Sequence, residues 1–488
     1  MMLTWMICLL LLGGAICWLA AQWSPRLSKW IALVAVLSDF VLLCTWWLRG
    51  GKGNPAGSSW FVNYRVDWIP SFGISFHLAM DGLSLVLLLL TFFLGILSVL
   101  CSWNEIKEKT GFYFFNLLWV LAGITGVFVA MDLFLFYFFW EVMLVPMYFL
   151  IAIWGDSNRR YAAFKFFIFT QAGGLLMLLA ILALYFIHGQ QTHTYSFDYF
   201  NLLGTSLEPS ASRWIMFGFL FAFLIKLPAV PFHSWLPDAH SEAPTAGSLV
   251  LAGLLLKTGA YGIIRFVLPL FPQASAEIAG WAMLFGVIGI VYGAMLAFAQ
   301  TDLKRLIAYT SVSHMGFVLL GIFAFREIAL DGVVMQIVTH GIATGALFVM
   351  AGMLKERLHT RDIGQMGGLW TSMPRMGGIF LLFTMASLGL PVLGNFIAEF
   401  LILLGSFSAN VPFTVIASLG LVLSALYSLR MMQRVFLGRA TIAVPPEDLS
   451  VREGLIMAVM SVSIVALGLY PQPVIDMVKM VMTQLVVR

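Results

Sequence analysis

Residues 225–257, IKLPAVPFHSWLPDAHSEAPTAGSLVLAGLLLK, decide how this chain is read. Lys226 opens the stretch inside one apolar segment, and Lys257 closes it inside the next. Between them stand Pro228, Pro231, Pro237 and Pro244, with His233, His240, Asp238 and Glu242. Proline removes a backbone donor and breaks the i to i−4 ladder. A bilayer tolerates loosened backbone only where it is buried in protein or lines a wet cavity. An ionisable residue at that depth is by default a functional group. The stretch therefore reads as part of an ion path through a membrane.

Composition agrees. The 488 residues are 61% hydrophobic and 10% charged, and the mean hydropathy is +0.95. Soluble globular chains carry roughly 25% charged residues. With about 20 apolar residues needed per transmembrane helix, the sequence offers about 14 candidates. They are 2–22, 29–48, 77–101, 112–130, 132–154, 162–187, 211–230, 246–271, 277–299, 303–324, 328–353, 375–405, 412–436 and 453–471. The reading is an all-α polytopic protein forming one membrane domain over 1–488. The first candidate has no basic region ahead of it and no small-residue cleavage site, so it reads as a retained helix. The linkers 49–76 (with GGKGNPAGSS) and 188–210 (with HGQQTHTYS) read as surface loops. The tail 472–488 is too short for a further span and is expected at the membrane interface. Cys8, Cys17, Cys44 and Cys101 show no metal or cluster spacing and no disulfide pattern. The net charge of +4 gives no reason to expect nucleic acid as a partner.

Lys and Arg in the loops set orientation. Loops after odd-numbered candidates hold about 17 of them, from Arg26 and Lys29 through Lys304, Arg305, Lys355 and Arg361 to Arg452, against about 8 on the other side, Arg49, Lys52, Arg65, Arg213, Arg265, Arg326, Lys479 and Arg488. The richer side is expected to be cytoplasmic, with both termini outside. The seventh candidate is interrupted at Pro228 and Pro231, and the twelfth at Gly389, Leu390, Pro391 and Gly394. Each is the fourth helix of a run of five. Helices 4–8 (112–271) and 9–13 (277–436) thus read as two inverted repeats, flanked by 1–101 and 453–488. Broken helices at matching places in two halves mark an inverted-repeat transporter.

Within the spans, Glu141 in LFLFYFFWEVMLVPMYFL has no other charge within eight residues on either side. It reads either as a packing acid held neutral or as the partner of a buried cation, for which Lys226 is the natural choice. Burial disfavours a lysine's charged form and a nearby carboxylate restores it, so making and breaking such a pair would switch proton affinity. Lys257, in VLAGLLLKTGAYG, lies about 15 Å along its helix at roughly 1.5 Å per residue, too deep to snorkel easily. Glu399, in GNFIAEFLILLGSF, follows the second break. His314 and His340 fall within spans between the lysines and Glu399 in chain order, and with His233 they are relay candidates. His240 is a weaker candidate. Asp81 and Asp132 read equally as relay groups and as helix caps. His77, His188, His193 and His359 read as loop or helix-end residues. There is no G-x-x-x-x-G-K-[ST], no dinucleotide-binding glycine fingerprint and no haem-like histidine pair. The chain carries a charge wire without its own energy source, and a partner is expected to supply the drive.

Residues 131–157 (MDLFLFYFFWEVMLVPMYFLIAIWGDS), 225–265, 300–318 (QTDLKRLIAYTSVSHMGFV) and 386–400 (ASLGLPVLGNFIAEF) closely resemble the subunit M family, the subunit 4 type, of bacterial respiratory complex I. The resemblance covers nearly the whole chain. It implies the antiporter-like fold of fourteen helices with helices 7 and 12 broken. It implies that Glu141 and Lys226 are the ion pair, Lys257 the central lysine, and His314 and His340 the axis to Glu399. Glutamate rather than lysine in the twelfth helix is similar to subunit M and unlike the sodium/proton antiporter subunits of Mrp-type or hydrogenase-linked complexes. The implied function is proton translocation within NADH:quinone oxidoreductase of the bacterial inner membrane. No metal or cofactor is expected in this chain; NADH, flavin, iron–sulfur clusters and quinone belong to partner subunits. Neighbouring antiporter-like subunits and lipids are the expected contacts. The rival readings are a cation/proton antiporter subunit and a non-transporting scaffold.

Overall fold

The computed structural model describes residues 1–50, 59–439 and 446–486. The 51–58 part of the first linker, with Lys52, and the terminal Arg488 lie outside the described residues. Among the described residues, twelve uninterrupted helices are long and apolar enough to cross a membrane. In hydrocarbon every backbone polar group must find its partner inside the segment, which makes helices of these runs. Their first turns are closed by short polar side chains. Asp81, Asp132, Asp302 and Asn410 each accept from backbone N–H groups of the helix that follows, and Ser450 with Glu453 forms a capping box.

Two further segments are each split into two shorter helices. Pro209–Lys226 and Trp235–Glu242 flank the first break, and Pro374–Ser387 and Gly394–Phe407 flank the second. Both upstream halves end in the same widened turn: Ala229 N–H donates to Leu224 O at 2.9 Å, and Leu390 N–H to Met385 O at 3.0 Å. Proline then ends the ladder in each case. The second break also needs left-handed backbone, at Gly389 (φ +80°) and Val392 (φ +82°). For a β-branched residue such as Val392 that conformation is costly, on the order of 1–3 kcal/mol.

The helices Thr245–Leu270 and Glu327–Leu358 lie at the centre, their most apolar windows wholly enclosed, whereas Pro25–Leu48, Val411–Val435 and Val451–Leu469 mostly face outward. Glycines let helices approach closely, as small residues do in membranes. A Cβ on Gly123 would lie 2.5 Å from Met143 N, and one on Gly332 would lie 2.6 Å from Ile402 N. Thr245–Leu270 is itself irregular, widening into π-helical turns at Leu251–Leu255 and Ile263–Val267, on either side of Lys257.

Two expectations about the linkers need correction. The linker 49–76 is not simply loop: Trp60–Ile69 pairs antiparallel with Ile74–Asp81, and the third long helix therefore starts at Gly82 rather than at 77. The hairpin turn uses Gly73 at φ +66°, where a Cβ would collide with Tyr195 O. In 188–210, the helix Arg159–Thr192 outlasts its expected end, and Tyr199–Leu202 adds a short turn of helix. The tail forms a helix of its own, Gln472–Val486.

Candidate functional site

The central line of polar groups starts at Lys257, which is fully buried. Its ammonium donates to Ala252 O at 2.7 Å, a carbonyl in the widened turn. It also lies 2.6 Å from His340 Nδ1. The His340 and His314 rings meet edge to face with centroids 5.4 Å apart. His314 Nε2 faces three acceptors: Ser387 O at 3.2 Å, Tyr427 Oη at 3.4 Å and Glu399 Oε1 at 3.6 Å. Gln336 Nε2 approaches the same Glu399 oxygen at 3.5 Å. The axis Lys257–His340–His314–Glu399 is thus contiguous and buried throughout. Ser387 closes the upstream half of the second break, and Glu399 lies in its downstream half, so the break brings a carbonyl and a carboxylate to one imidazole.

This axis is rich in atoms with no hydrogen-bond partner in the protein. They include His340 Nε2, His314 Nδ1, Glu399 Oε2, Gln336 Oε1, Ser387 Oγ and both amide atoms of Asn395. Buried polar groups in proteins are nearly always bonded, to protein or to ordered water. Such a cluster in a polar, enclosed region is where buried water belongs.

The Glu141–Lys226 pair is not closed. Lys226 ends the helix Pro209–Lys226 and is fully buried, but its Nζ has no hydrogen-bond partner and makes no ion pair with Glu141. It faces rings instead, 5.4 Å from the Trp140 centroid and 5.3 Å from that of Phe166. Ring faces attract cations, and a desolvated contact is worth about 2 kcal/mol. Glu141 is half-buried, its Oε1 also unpartnered and backed by Gly174. The two groups are near neighbours, and one of the rings the lysine faces belongs to Trp140, the residue before Glu141.

The remaining candidates fall elsewhere. His233 lies in the first break beside Tyr292 and Tyr309, with Nδ1 unpartnered. His240 is fully buried, stacked on Phe348 at 4.3 Å, with neither ring nitrogen partnered. Asp132 caps its helix through Phe134 N–H and Leu135 N–H and also accepts from Ser75 N–H and Oγ–H of the hairpin. Burial pushes its carboxyl up, against the pull of those donors. Asp81 accepts from Ser84 N–H and forms a 2.5 Å ion pair with Arg265. His77, expected in a loop or at a helix end, lies in the second strand, 2.6 Å from Asp198.

Sequence reading missed several groups. Arg265 and Lys304 were counted with the loops, yet both are buried. Lys304 Nζ donates to Ala243 O at 2.8 Å, just past the first break. Tyr427 and Gln336, both fully buried, had no signal beyond a polar atom in an apolar run. Asp39 in Pro25–Leu48 is a buried intramembrane acid with neither oxygen partnered, away from the axis. Near one surface, Asp156 pairs with Lys355 and Arg361, Asp238 with Lys165 and Arg305, and Arg361 also with Glu242 and Asp302. Among the described residues no cluster of His, Cys, Asp and Glu could hold a metal ion.

A helical membrane bundle with two broken helices and a buried line of Lys, His and Glu defines an antiporter-like membrane subunit. Residues 130–425 match the family model described as NADH:quinone oxidoreductase/Mrp antiporter, and the chain belongs to that family. It is 54% identical to NADH-quinone oxidoreductase subunit M of Pseudomonas aeruginosa, over 98% of this chain and 96% of that one. To subunit M of Escherichia coli it is 51% identical, with the same coverage. Among solved structures it is similar to a chain of respiratory complex I from Thermus thermophilus, at TM-score 0.90 and 28% identity, covering 100% of this chain and 99% of that one. It shares its fold with a chain of the Mrp complex from Dietzia, at TM-score 0.89 and 22% identity over 99% and 97% of the two chains.

Proposed function

We propose that the chain is a proton-translocating membrane-arm subunit of an NADH:quinone oxidoreductase, driven by redox chemistry in other subunits. The observation that carries this reading is the buried row Lys257, His340, His314 and Glu399, in which four helices each contribute one titratable side chain beside the next. When the Lys257 ammonium donates to His340 Nδ1, the imidazole keeps its own proton on Nε2. A proton taken up at Nδ1 therefore leaves from Nε2, which has no hydrogen-bond partner in the protein. At His314, the Nε2 proton bonds the Ser387 carbonyl in the neutral ring and passes to Glu399 once the ring is charged. Lys226 sets the proton affinity of the uptake side as it swings between the aromatic rings and Glu141.

Uptake from the cytoplasmic side, release through Glu399 to the periplasm and periplasmic termini belong to this proposal. So does the relation of 112–271 to 277–436 as inverted repeats. It is supported by the matching widened turns at the breaks and by two matching isolated bridges, Asp132 with Asp198 and Asp302 with Asp362. The partners are neighbouring antiporter-like subunits, and this chain contributes no redox centre. The test is Lys226→Ala in the assembled enzyme in membrane vesicles: coupled turnover and NADH-driven acidification are expected to fall together. Wild-type values for both would refute the reading.

A further inference from the structure

Lys257 has a second neighbourhood, along its own helix and away from His340. Tyr261 and Arg265 follow it at successive i, i+4 positions, which share one helix face. Unlike the axis, this corner is saturated. Tyr261 Oη–H donates to Phe128 O at 3.0 Å and accepts from Arg265 Nε–H at 3.2 Å, with Ser84 Oγ at 3.5 Å. Arg265 Nη2–H donates to Asp81 Oδ2 at 2.5 Å, and Asp81 Oδ1 is occupied by Ser84 N–H. The guanidinium is packed against rings, 4.8 Å from the Trp60 centroid and 5.3 Å from that of Tyr261. Asp81 ends the second hairpin strand, so the corner stands between Lys257 and the hairpin.

We propose that Arg265, locked by Asp81, Tyr261 and Ser84, is a proton barrier. It stops protons collected at Lys257 from escaping along this helix and leaves His340 as their one way on. The inference rests on the proton-translocating reading above. Two physical arguments carry it. A hydroxyl whose donor and acceptor positions are all committed cannot pass a proton without breaking bonds on both sides, and Tyr261 is in that state. A fixed arginine charge in a narrow low-dielectric region repels an approaching proton, as it does in membrane pores that exclude protons. An arginine cannot take the proton's place either, because it does not deprotonate in proteins. Burying this charge is costly unless it is paired and fully hydrogen-bonded, and a relay group would not need so complete a cage.

The test uses the whole enzyme in native membrane vesicles. Arg265→Met alone leaves Asp81 unpaired, so the working variant is Asp81→Asn/Arg265→Met, which removes both charges and keeps an acceptor for Ser84 N–H. Passive decay of an imposed pH difference is expected to be several-fold faster than in wild type, and uncoupler is expected to stop stimulating NADH oxidation. Adding Lys257→Met is expected to restore tightness, because the leak starts at that lysine. Vesicles of the double variant as tight as wild type would overturn the barrier, and so would a leak that persists without Lys257. If the double variant does not assemble, Arg265→Gln is read instead, which removes the fixed charge and keeps an amide donor for Asp81, with a leak expected and tightness refuting. Lys257→Met alone separates the two proposals. If it pumps like wild type, the reading of the axis fails. If it does not pump and the double variant is tight, only the barrier fails.

Discussion

Two polar neighbourhoods lie on the helix that carries Lys257, and they are built on opposite terms. Towards His340, His314 and Glu399 the polar atoms are close in space but poorly satisfied, with ring nitrogens, a carboxylate oxygen and a whole amide lacking partners. Towards Tyr261, Arg265 and Asp81 the donors and acceptors are committed to one another. Depth in the membrane is therefore not what distinguishes a moving proton site from a structural one, since both neighbourhoods are buried. What distinguishes them is spare hydrogen-bonding capacity, which admits water and lets a proton change hands. The axis gives up hydrogen bonds and so lets protons change hands, and the corner spends its groups on bonds and so does not.

Each side of that comparison can be broken separately. The largest effect is expected from Glu399→Gln, which keeps the shape of the side chain but removes the titrating group. NADH-driven acidification is expected to fall towards the uncoupled background, while the enzyme assembles in normal amount, because Oε2 has no bond to lose. A variant that pumps normally but assembles poorly would reverse the assignment. Next, Arg265→Ala leaves Asp81 as a buried unpaired carboxylate, a loss of about 3–5 kcal/mol. It should appear as a lower melting temperature of the purified complex. A third variant, Gly259→Ala, sharpens the picture at the first break. Its methyl would lie 2.6 Å from Phe223 O and 2.8 Å from Leu227 N, beside Lys226. Such overpacking costs about 1–3 kcal/mol and shifts Lys226 relative to its rings, so coupling should fall more than uncoupled turnover. The smallest effect belongs to Arg213→Ala. Its 3.7 Å pair with Glu277 is half-exposed on both sides, so the expected change is below about 0.5 kcal/mol, with no change in pumping.

Much of the axis was legible because the bilayer makes charge conspicuous. Lys257, Glu399, His314 and His340 stand out in apolar runs, and the breaks announce themselves through Pro228, Pro231, Gly389 and Pro391. The rest was hidden for physical reasons. Arg265 lies near the end of its apolar run, where position along the chain cannot tell a buried ion pair from a loop charge. Its partner Asp81 is distant in sequence, and pairing is a property of the fold. Tyr427, Gln336 and Asn395 matter only through which face of a helix they occupy. The Glu141–Lys226 pair was legible as two charges in apolar runs, but that the lysine rests against the Trp140 and Phe166 rings was not, since ring placement is a property of the fold. The hairpin Trp60–Asp81 carried a readable strand signal in its aromatic and β-branched residues, WFVNYRVDWI, which the neighbouring glycine-rich segment masked.

The most direct test of spare capacity as the mark of the proton path is a density map of the assembled enzyme sharp enough to show individual waters. Ordered waters are expected to bond His340 Nε2, His314 Nδ1, Asn395 and Glu399 Oε2 into one connected string, with none between Lys257 and Arg265. A dry axis, or a continuous file of water running past Tyr261 to Asp81, would contradict the account.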